Sequence, residues 1–286
     1  MEQAEMQAGQ EQILDVAIIG AGISGIGMAA HMGIACPHLG YTILEQREHL
    51  GGTWDVFRYP GVRSDSDMQT LGFGFEPWVD EKSIADGDAI LRYLHKIVDE
   101  RAISPHIRYQ HMVRCASFDS ATALWTIDVE TPEGAQTIHA RFLFLGSGYY
   151  DYDSPYNPGF AGSDSFAGRI VHPQFWPEDL DYTGKNVVVI GSGATAVTLV
   201  PAMTGKAAHV TMLQRTPTWM GARPSRDGFA NSLRKVLPEK LAYRITRAKN
   251  IWLHQYIFKR ARTQPDKVGQ YLTDKAKAAL GPVWNE

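Results

Sequence analysis

The chain has 286 residues, of which 44% are hydrophobic and 21% charged, and its formal net charge is −3. This is the composition of an ordinary globular protein with room for two modest domains, and it gives no reason to expect nucleic acid binding. The two cysteines, Cys36 and Cys115, form neither a CxxC pair nor a metal-ligand cluster, so we expect a reducing cytoplasm, no metal site and no disulfide reductase. We also expect neither a signal peptide nor a membrane-spanning segment.

The first motif follows a polar tail. Residues 1–12 are polar and are predicted to be disordered, and the apolar run at 13–19, rich in β-branched residues, predicts a strand buried on both faces. Gly20, Gly22 and Gly25 come directly after this run. In a dinucleotide-binding turn, three such glycines allow a sharp turn, close approach of the backbone to a pyrophosphate, and close packing of helix on strand.

The surrounding sequence separates this motif from an ordinary glycine turn. Residues 26–32 predict a helix and 41–45 a second strand, so the glycines lie in a βαβ frame. The N-terminus of that helix offers free N–H groups to phosphates. Glu45 ends the second strand, where a carboxylate accepts a hydrogen bond from a ribose 2′-hydroxyl and repels a 2′-phosphate. This site is therefore predicted to hold FAD or NAD.

A second frame of the same kind lies further along the chain. Residues 187–190 predict a strand, 194–203 a helix and 209–214 another strand, with Gly191 and Gly193 in the turn before the helix. The repetition of strand, glycine turn, helix and strand predicts a second dinucleotide site.

The second frame ends in the opposite charge. Arg215 follows its last strand, where a guanidinium binds a 2′-phosphate, and Thr216 could add a hydroxyl donor. A solvated surface arginine is the alternative. Ala196 takes the place of the third glycine, which the motif tolerates. We therefore assign NADPH to this site, and the two sites together predict a flavin enzyme that NADPH reduces.

These motifs predict an α/β fold with two Rossmann-like dinucleotide-binding domains, the second of them incomplete. We place an FAD-binding domain, without its C-terminal closing part, at 13–150. A linker follows at 151–178, and an incomplete NADPH-binding domain at 179–286.

The linker carries the most specific pattern in the chain. Phe166, Gly168, His172, Trp176 and Pro177 match the pattern FxGxxxHxxxWP. Further matches lie at 51–54 (Gly-Gly-Thr-Trp), at 58–65 (Arg-Tyr-Pro-Gly-Val-Arg-Ser-Asp) and between 65 and 78. On these residues, from about 14 to about 219, the chain resembles the Baeyer–Villiger monooxygenases, which are class B flavin-containing monooxygenases. It is most similar to their ethionamide-activating subgroup.

The resemblance implies a reaction. NADPH reduces FAD, the reduced flavin captures O₂ as a C4a-peroxyflavin, and one oxygen passes to a small-molecule ketone to give an ester, or to a sulfide or thioamide. Two alternatives stay open. One is an N- or S-oxygenating flavin monooxygenase, against which the intact Trp-Pro pair speaks. The other is a non-catalytic nucleotide-binding remnant.

The resemblance also implies site residues. Positions matching FAD contacts are Gly20, Gly22, Ser24, Gly25, Glu45, Gly52, Thr53, Trp54, Asp55, Val56, Asp65 and Val113. Positions near NADP are Arg63, Ser64, Asp65, Gly191, Ser192, Gly193, Ala194, Thr195, Ala196, Val197, Arg215 and Thr216. His172 and Trp176 match the linker that couples NADP binding to domain rotation. Taken alone, they would be a packed histidine and a core aromatic.

Asp65 matches the catalytic carboxylate of the family, which orients an arginine that supports the reacting oxygen. Taken alone, it would be a turn or capping residue. Residues 280–286 match the segment that precedes this arginine, and the sequence ends there, so the arginine is not part of this chain. We interpret the sequence as a C-terminally truncated member and expect exposed strand edges and apolar faces.

The stretch 232–268 is strongly basic, with ten Lys or Arg against two acids, Glu239 and Asp266. Leu241, Ile245 and other apolar residues recur at helical spacing, which predicts a basic amphipathic helix. We favour a helical insertion of the NADPH domain that packs its apolar stripe against the missing part. Weak peripheral contact with anionic lipid is the alternative. We expect a cytoplasmic protein, with membrane association left open.

Overall fold

The structure is a computed structural model, and it describes residues 13–216 and 219–284. The tail predicted to be disordered, 1–12, lies outside the described residues. The strands are β1 (Leu14–Ile19), β2 (Tyr41–Leu44), β3 (Ile107–Arg108), β4 (Met112–Asp119), β5 (Leu124–Thr131), β6 (Gly134–Leu145), β7 (Asn186–Ile190) and β8 (His209–Leu213). The helices are α1 (Ile23–Ala35), α2 (Thr53–Val56), α3 (Met68–Leu71), α4 (Gly87–Glu100), α5 (Ala194–Met203), α6 (Gly228–Leu233), α7 (Glu239–Thr263) and α8 (Pro265–Leu280).

The first of two compact units comprises residues 13–59 and 87–179. Its six-stranded sheet has the order β3-β2-β1-β6-β5-β4, with β3, β2, β1 and β6 parallel and β6, β5 and β4 antiparallel. As predicted, β1 is buried on both faces, and Ala17 and Ile18 are fully enclosed. The predicted α/β fold is confirmed, because β1, α1 and β2 form the first βαβ frame.

Two glycines of the first motif, Gly20 and Gly25, lie where the backbone approaches so closely that no other residue fits. Gly20 has a φ of +94°, and a Cβ there would lie 2.6 Å from the carbonyl oxygen of Gly146, just after β6. A Cβ at Gly25 would overlap the carbonyl oxygen of Gly20, because α1 crosses the end of β1 there. The glycines therefore bring α1 and the residues after β6 to the carboxyl end of β1.

The second unit comprises residues 60–86 and 180–284. β7 and β8 pair in parallel, and α5 lies between them along the chain, so the second predicted βαβ frame is also confirmed. Residues 60–86, which fall inside the predicted first domain, group with this unit instead. The physical reason is close packing: a Cβ at Gly61 would lie 2.7 Å from the Cβ of Ala202 on α5. The predicted linker, 151–178, groups with the first unit.

One face of the β7–β8 sheet is open to solvent. Val188, Ile190 and Leu213 lie on it and are each more than half exposed. An exposed apolar sheet face of this kind agrees with the expectation from the sequence.

The basic stretch at 232–268 is divided between α6, α7 and α8. Its predicted apolar stripe lies on the exposed face of α7, because Leu241 and Ile245 are exposed. The buried face carries Ala242, Tyr243, Thr246 and Asn250 instead. The buried face therefore includes polar groups that apolar periodicity does not predict. In the part of the chain that the structure describes, none of the helices is both long and apolar enough to cross a membrane.

Candidate cofactor sites

A cavity of about 310 Å³ opens at the carboxyl ends of β1 and β2 in the first unit. Ligands of doubly wound α/β folds bind at this end of the strands. The predicted FAD contacts that line the cavity are Gly20, Gly22, Ser24, Glu45, Gly52, Thr53, Trp54 and Val113. Four other residues predicted for the same site, Gly25, Asp55, Val56 and Asp65, are not among its lining residues.

Glu45 is held in a fixed orientation at the cavity wall. Its side chain is buried, and its Oε2 accepts a hydrogen bond from the backbone N–H of Ala21 at 2.7 Å. Its Oε1 accepts one from the backbone N–H of Arg47 at 2.9 Å. Each carboxylate oxygen has a second lone pair, so the group can still accept from a ribose hydroxyl.

The start of α1 offers backbone donors to the same cavity. Gly22 is the N-cap residue, and among the described residues no side chain caps this helix. The first N–H groups of a helix have no partner within the helix, and the helix dipole favours an anion there. Ile23 and Ser24 line the cavity at this point. An acidic acceptor beside an uncapped helix start fits the ribose and pyrophosphate of a dinucleotide such as FAD.

The turn before α2 forms another wall. The N–H of Gly51 donates to the carbonyl oxygen of Ala21 at 3.0 Å. Gly52 has a φ of +54°, and a Cβ there would lie 3.1 Å from the Cα of Gly22. This close approach to the glycine turn after β1 places Thr53 and Trp54 on the cavity wall.

Asp55, which the sequence places among the FAD contacts, has a charged environment. It is buried, and it forms ion pairs with Arg47 and Arg58, each 2.7 Å long. It faces a second, more open cavity of about 450 Å³. That cavity is also lined by Glu48, His49, Leu50, Arg58, His95 and Tyr109.

Two tyrosines on the first cavity were missed at the sequence level. Tyr150 and Tyr152 line it, together with Gln46, His111, Ser147 and Gly148. Burial, and then the carboxylate of Glu45, raises the pKa of Tyr152 above its ordinary value. Burial and a hydrogen bond with Tyr149 raise the pKa of Tyr150. Both phenols therefore stay protonated at neutral pH and can donate. The aromatic run directly after β6 was the available signal.

The linker segment 166–177, which carries the FxGxxxHxxxWP pattern, is hydrogen-bonded to the chain beside these tyrosines. Gln174 is buried, and its Nε2 donates to the carbonyl oxygen of Asp151 at 2.6 Å. His172 is exposed, and its Nδ1 accepts from the backbone N–H of Gln174 at 3.2 Å. Trp176 is half-buried. Gln174, which the pattern leaves unspecified, is therefore the anchor of the segment.

The second unit repeats the arrangement at the carboxyl ends of β7 and β8. Gly191 has a φ of +131°, and its N–H donates to the carbonyl oxygen of Leu213 at 2.8 Å. Gly193 is the N-cap residue of α5, and again no side chain among the described residues caps the helix. Arg215 and Thr216 are exposed directly after β8. The helix start and the guanidinium lie at the same end of the two parallel strands, as a 2′-phosphorylated dinucleotide requires.

The segment at 63–65 belongs to the same unit as α5. Ser64 is buried, and its hydroxyl donates to the carbonyl oxygen of Ser66 at 2.7 Å. Arg63 and Asp65 are exposed. The side chains of Arg63 and Asp65 are therefore accessible from solvent, whereas the hydroxyl of Ser64 is hydrogen-bonded within the local turn.

Two βαβ frames, each with an uncapped helix start and a charged residue after its second strand, define a protein with two dinucleotide-binding units. A family model described as pyridine nucleotide-disulphide oxidoreductase matches residues 17–255, and the chain belongs to this family. Cys36 and Cys115 are both free thiols.

The relatives within this family are monooxygenases. The FAD-containing monooxygenase EthA of Mycobacterium tuberculosis is 51% identical over 256 residues, which are 89% of this chain and 52% of that protein. The crystal structure of OTEMO in complex with FAD and NADP matches with a TM-score of 0.64 and 29% identity, over 79% of this chain and 44% of that chain.

A cyclohexanone monooxygenase from Rhodococcus sp. Phi1, bound to NADP⁺, matches with a TM-score of 0.68 and 26% identity, over 82% of this chain and 43% of that chain. The chain spans about half the length of the curated relatives it matches. The resemblance to flavin-containing monooxygenases, first seen in the sequence motifs, is confirmed.

Proposed function

We propose that this chain provides the FAD- and NADPH-binding part of a Baeyer–Villiger type monooxygenase. Such an enzyme uses NADPH and O₂ to insert one oxygen atom into a ketone, or to oxidise a sulfide or thioamide. The observation that carries the proposal is the pair of βαβ frames ending in Glu45 and Arg215, each beside an uncapped helix start. The monooxygenase names of the relatives support the reaction class.

The residues of this chain then have separate tasks. When bound, FAD supplies the reaction with O₂. Glu45 binds the ribose and the start of α1 binds the pyrophosphate. Trp54, Tyr150 and Tyr152 cover the cavity with aromatic surface and exclude water from it. Asp65 has the role that the family resemblance implies, that of a carboxylate which orients an arginine beside the reacting oxygen.

The first experiment is a titration of the purified 286-residue chain with FAD, followed by the visible flavin band. We expect stoichiometric binding, and then loss of the band when NADPH is added without oxygen. NADPH oxidation coupled to ester formation from a ketone tests the reaction itself. Absence of flavin binding would overturn the proposal for this chain. Flavin binding without reduction by NADPH would overturn the assignment of the second site.

Replacing Arg215 with alanine tests that second assignment. We expect the Kd for NADPH to rise about tenfold to a hundredfold and the Kd for NADH to stay unchanged, because only NADPH has the 2′-phosphate. Both constants can be measured by isothermal titration calorimetry. Arg244, exposed on α7, gives the control variant Arg244→Ala, which should alter neither. An equal loss for both nucleotides in Arg215→Ala would refute the contact.

We further propose a cytoplasmic protein with weak peripheral contact to anionic lipid through α7. Trp252 and Phe258 are each more than 60% exposed, and the guanidinium of Arg262 lies 5.8 Å from the ring centre of Phe258. Exposed aromatic and basic side chains on one helix favour an anionic membrane surface. Co-sedimentation should show salt-sensitive binding to vesicles that contain phosphatidylserine and none to phosphatidylcholine vesicles. If equal amounts of the protein sediment with both kinds of vesicle, the contact with anionic lipid is contradicted.

A further inference from the structure

Asp55 lies between two arginines although it is almost completely buried, with 5% of its surface exposed. Its Oδ2 is 2.7 Å from Nη1 of Arg47, and its Oδ1 is 2.7 Å from Nη2 of Arg58. A buried carboxylate is costly unless cations and hydrogen bonds compensate it. The two ion pairs supply this compensation: among the described residues, the pair with Arg58 is a hydrogen bond, and the pair with Arg47 acts by charge without hydrogen-bond geometry.

Of the two arginines, Arg47 is the one in contact with the cavity wall. Its backbone N–H donates to Oε1 of Glu45 at 2.9 Å, and its guanidinium lies 5.6 Å from the ring centre of Tyr152. Glu45 and Tyr152 both line the cavity assigned to FAD. Arg58 is half exposed and does not line that cavity.

Asp55 is also hydrogen-bonded to the turn that forms another wall of this cavity. Its backbone N–H donates to the carbonyl oxygen of Gly52 at 3.0 Å, in the turn that places Thr53 and Trp54 on the cavity. Asp55 therefore connects two parts of the site: its backbone N–H bonds to the turn at 51–54, and its carboxylate pairs with Arg47, which lies at the end of β2 and next to Tyr152. Cofactor sites are held by side chains of this kind, which contact the binding residues and not the ligand itself.

We propose that Asp55 is a positioning residue for FAD binding: through its ion pair with Arg47, it fixes Glu45 and Tyr152 relative to the turn at 51–54. The inference rests on the proposed function, since it concerns the same cavity. Without the negative charge at position 55, the guanidinium of Arg47 loses its partner and turns towards solvent. The cavity then has to be ordered by the ligand, and this ordering lowers the affinity.

The test is a double-mutant cycle read out as the Kd for FAD. Asp55→Asn keeps the shape and removes the charge, and we expect the Kd to rise about tenfold. Arg47→Gln should have a similar effect, and the double variant should bind no more weakly than either single variant, because both remove one interaction. Asp55→Glu should recover part of the affinity. The melting temperature of each FAD-free variant is measured in parallel.

Two control variants separate positioning from general stability. Arg58→Gln removes the other ion pair of Asp55 and should change the Kd less than Arg47→Gln. Glu130→Gln breaks the exposed Arg114–Glu130 pair of the same unit and should leave the Kd unchanged. A wild-type Kd in Asp55→Asn, or additive effects in the double variant, would overturn the inference. A wild-type chain that does not bind FAD would overturn the proposed function and this inference with it.

Discussion

Replacing Glu45 with arginine is expected to abolish FAD retention by this chain. The native carboxylate accepts from the N–H groups of Ala21 and Arg47, and a guanidinium can accept from neither. The variant would therefore leave the buried N–H of Ala21 and the partly buried N–H of Arg47 without their partner and add a positive charge in a buried position. An uncompensated buried charge costs about 3 to 5 kcal/mol of folding stability, and the guanidinium also offers no acceptor to the ribose hydroxyl.

The measurement is the flavin content of the purified variant, followed by titration with FAD. Glu45→Gln is the matched variant: it keeps the size and one acceptor oxygen, and we expect a loss of about tenfold. Glu48→Gln is the exposed control, because Glu48 accepts from the side chain of Gln110 at the surface. Circular dichroism checks that each variant is folded. Unchanged flavin content in Glu45→Arg would refute the ribose contact.

The parts of the fold that the sequence predicted correctly depend on local patterns. Both βαβ frames follow from apolar runs, turn glycines and the spacing between them. Glu45 and Arg215 could be placed because each directly follows a strand, so its position is set by neighbours in the sequence. Gly20 and Gly25 show the physical reason: their missing Cβ atoms are required by backbone contacts that the motif itself creates.

The parts that could not be predicted depend on contacts between distant residues. Tyr150 and Tyr152 reach the cavity because β6 pairs in parallel with β1, and the aromatic run after β6 does not by itself show this pairing. The sequence assigned Asp55 to cofactor contact by position within a motif. Its partner Arg47 became visible only when the turn was folded back onto the end of β2.

The Ser-Asp-Ser-Asp run shows the same limit. Two aspartates two positions apart have no distinguishing local pattern, yet Asp65 is exposed and Asp67 is fully buried. The difference comes from Asn250 on α7, whose Nδ2 donates to Oδ1 of Asp67 at 2.9 Å across 183 positions of sequence. The same contact explains why Asn250 lies on the buried face of α7.

Replacing Asp67 with alanine should destabilise the second unit by about 3 kcal/mol. Asp67 caps α3 by accepting from the N–H of Thr70 at 3.2 Å, and the loss of a helix cap costs about 1 kcal/mol. It also accepts from Asn250 and from Nη1 of Arg223, the latter at 3.2 Å. Removing the acceptor of the fully buried Asn250 costs about 2 kcal/mol more, because Asn250 has no access to water.

The neighbouring Asp65 provides the matched control for this experiment. Asp65→Ala removes the same carboxylate two positions earlier in the same segment, at an exposed site, and should change the free energy of unfolding by less than about 0.5 kcal/mol. Urea unfolding gives both values, and hydrogen exchange of the α7 amides locates the effect. Faster exchange in α7 is expected for Asp67→Ala alone. Equal stability of the two variants would show that the contact between Asp67 and α7 does not hold this helix in place.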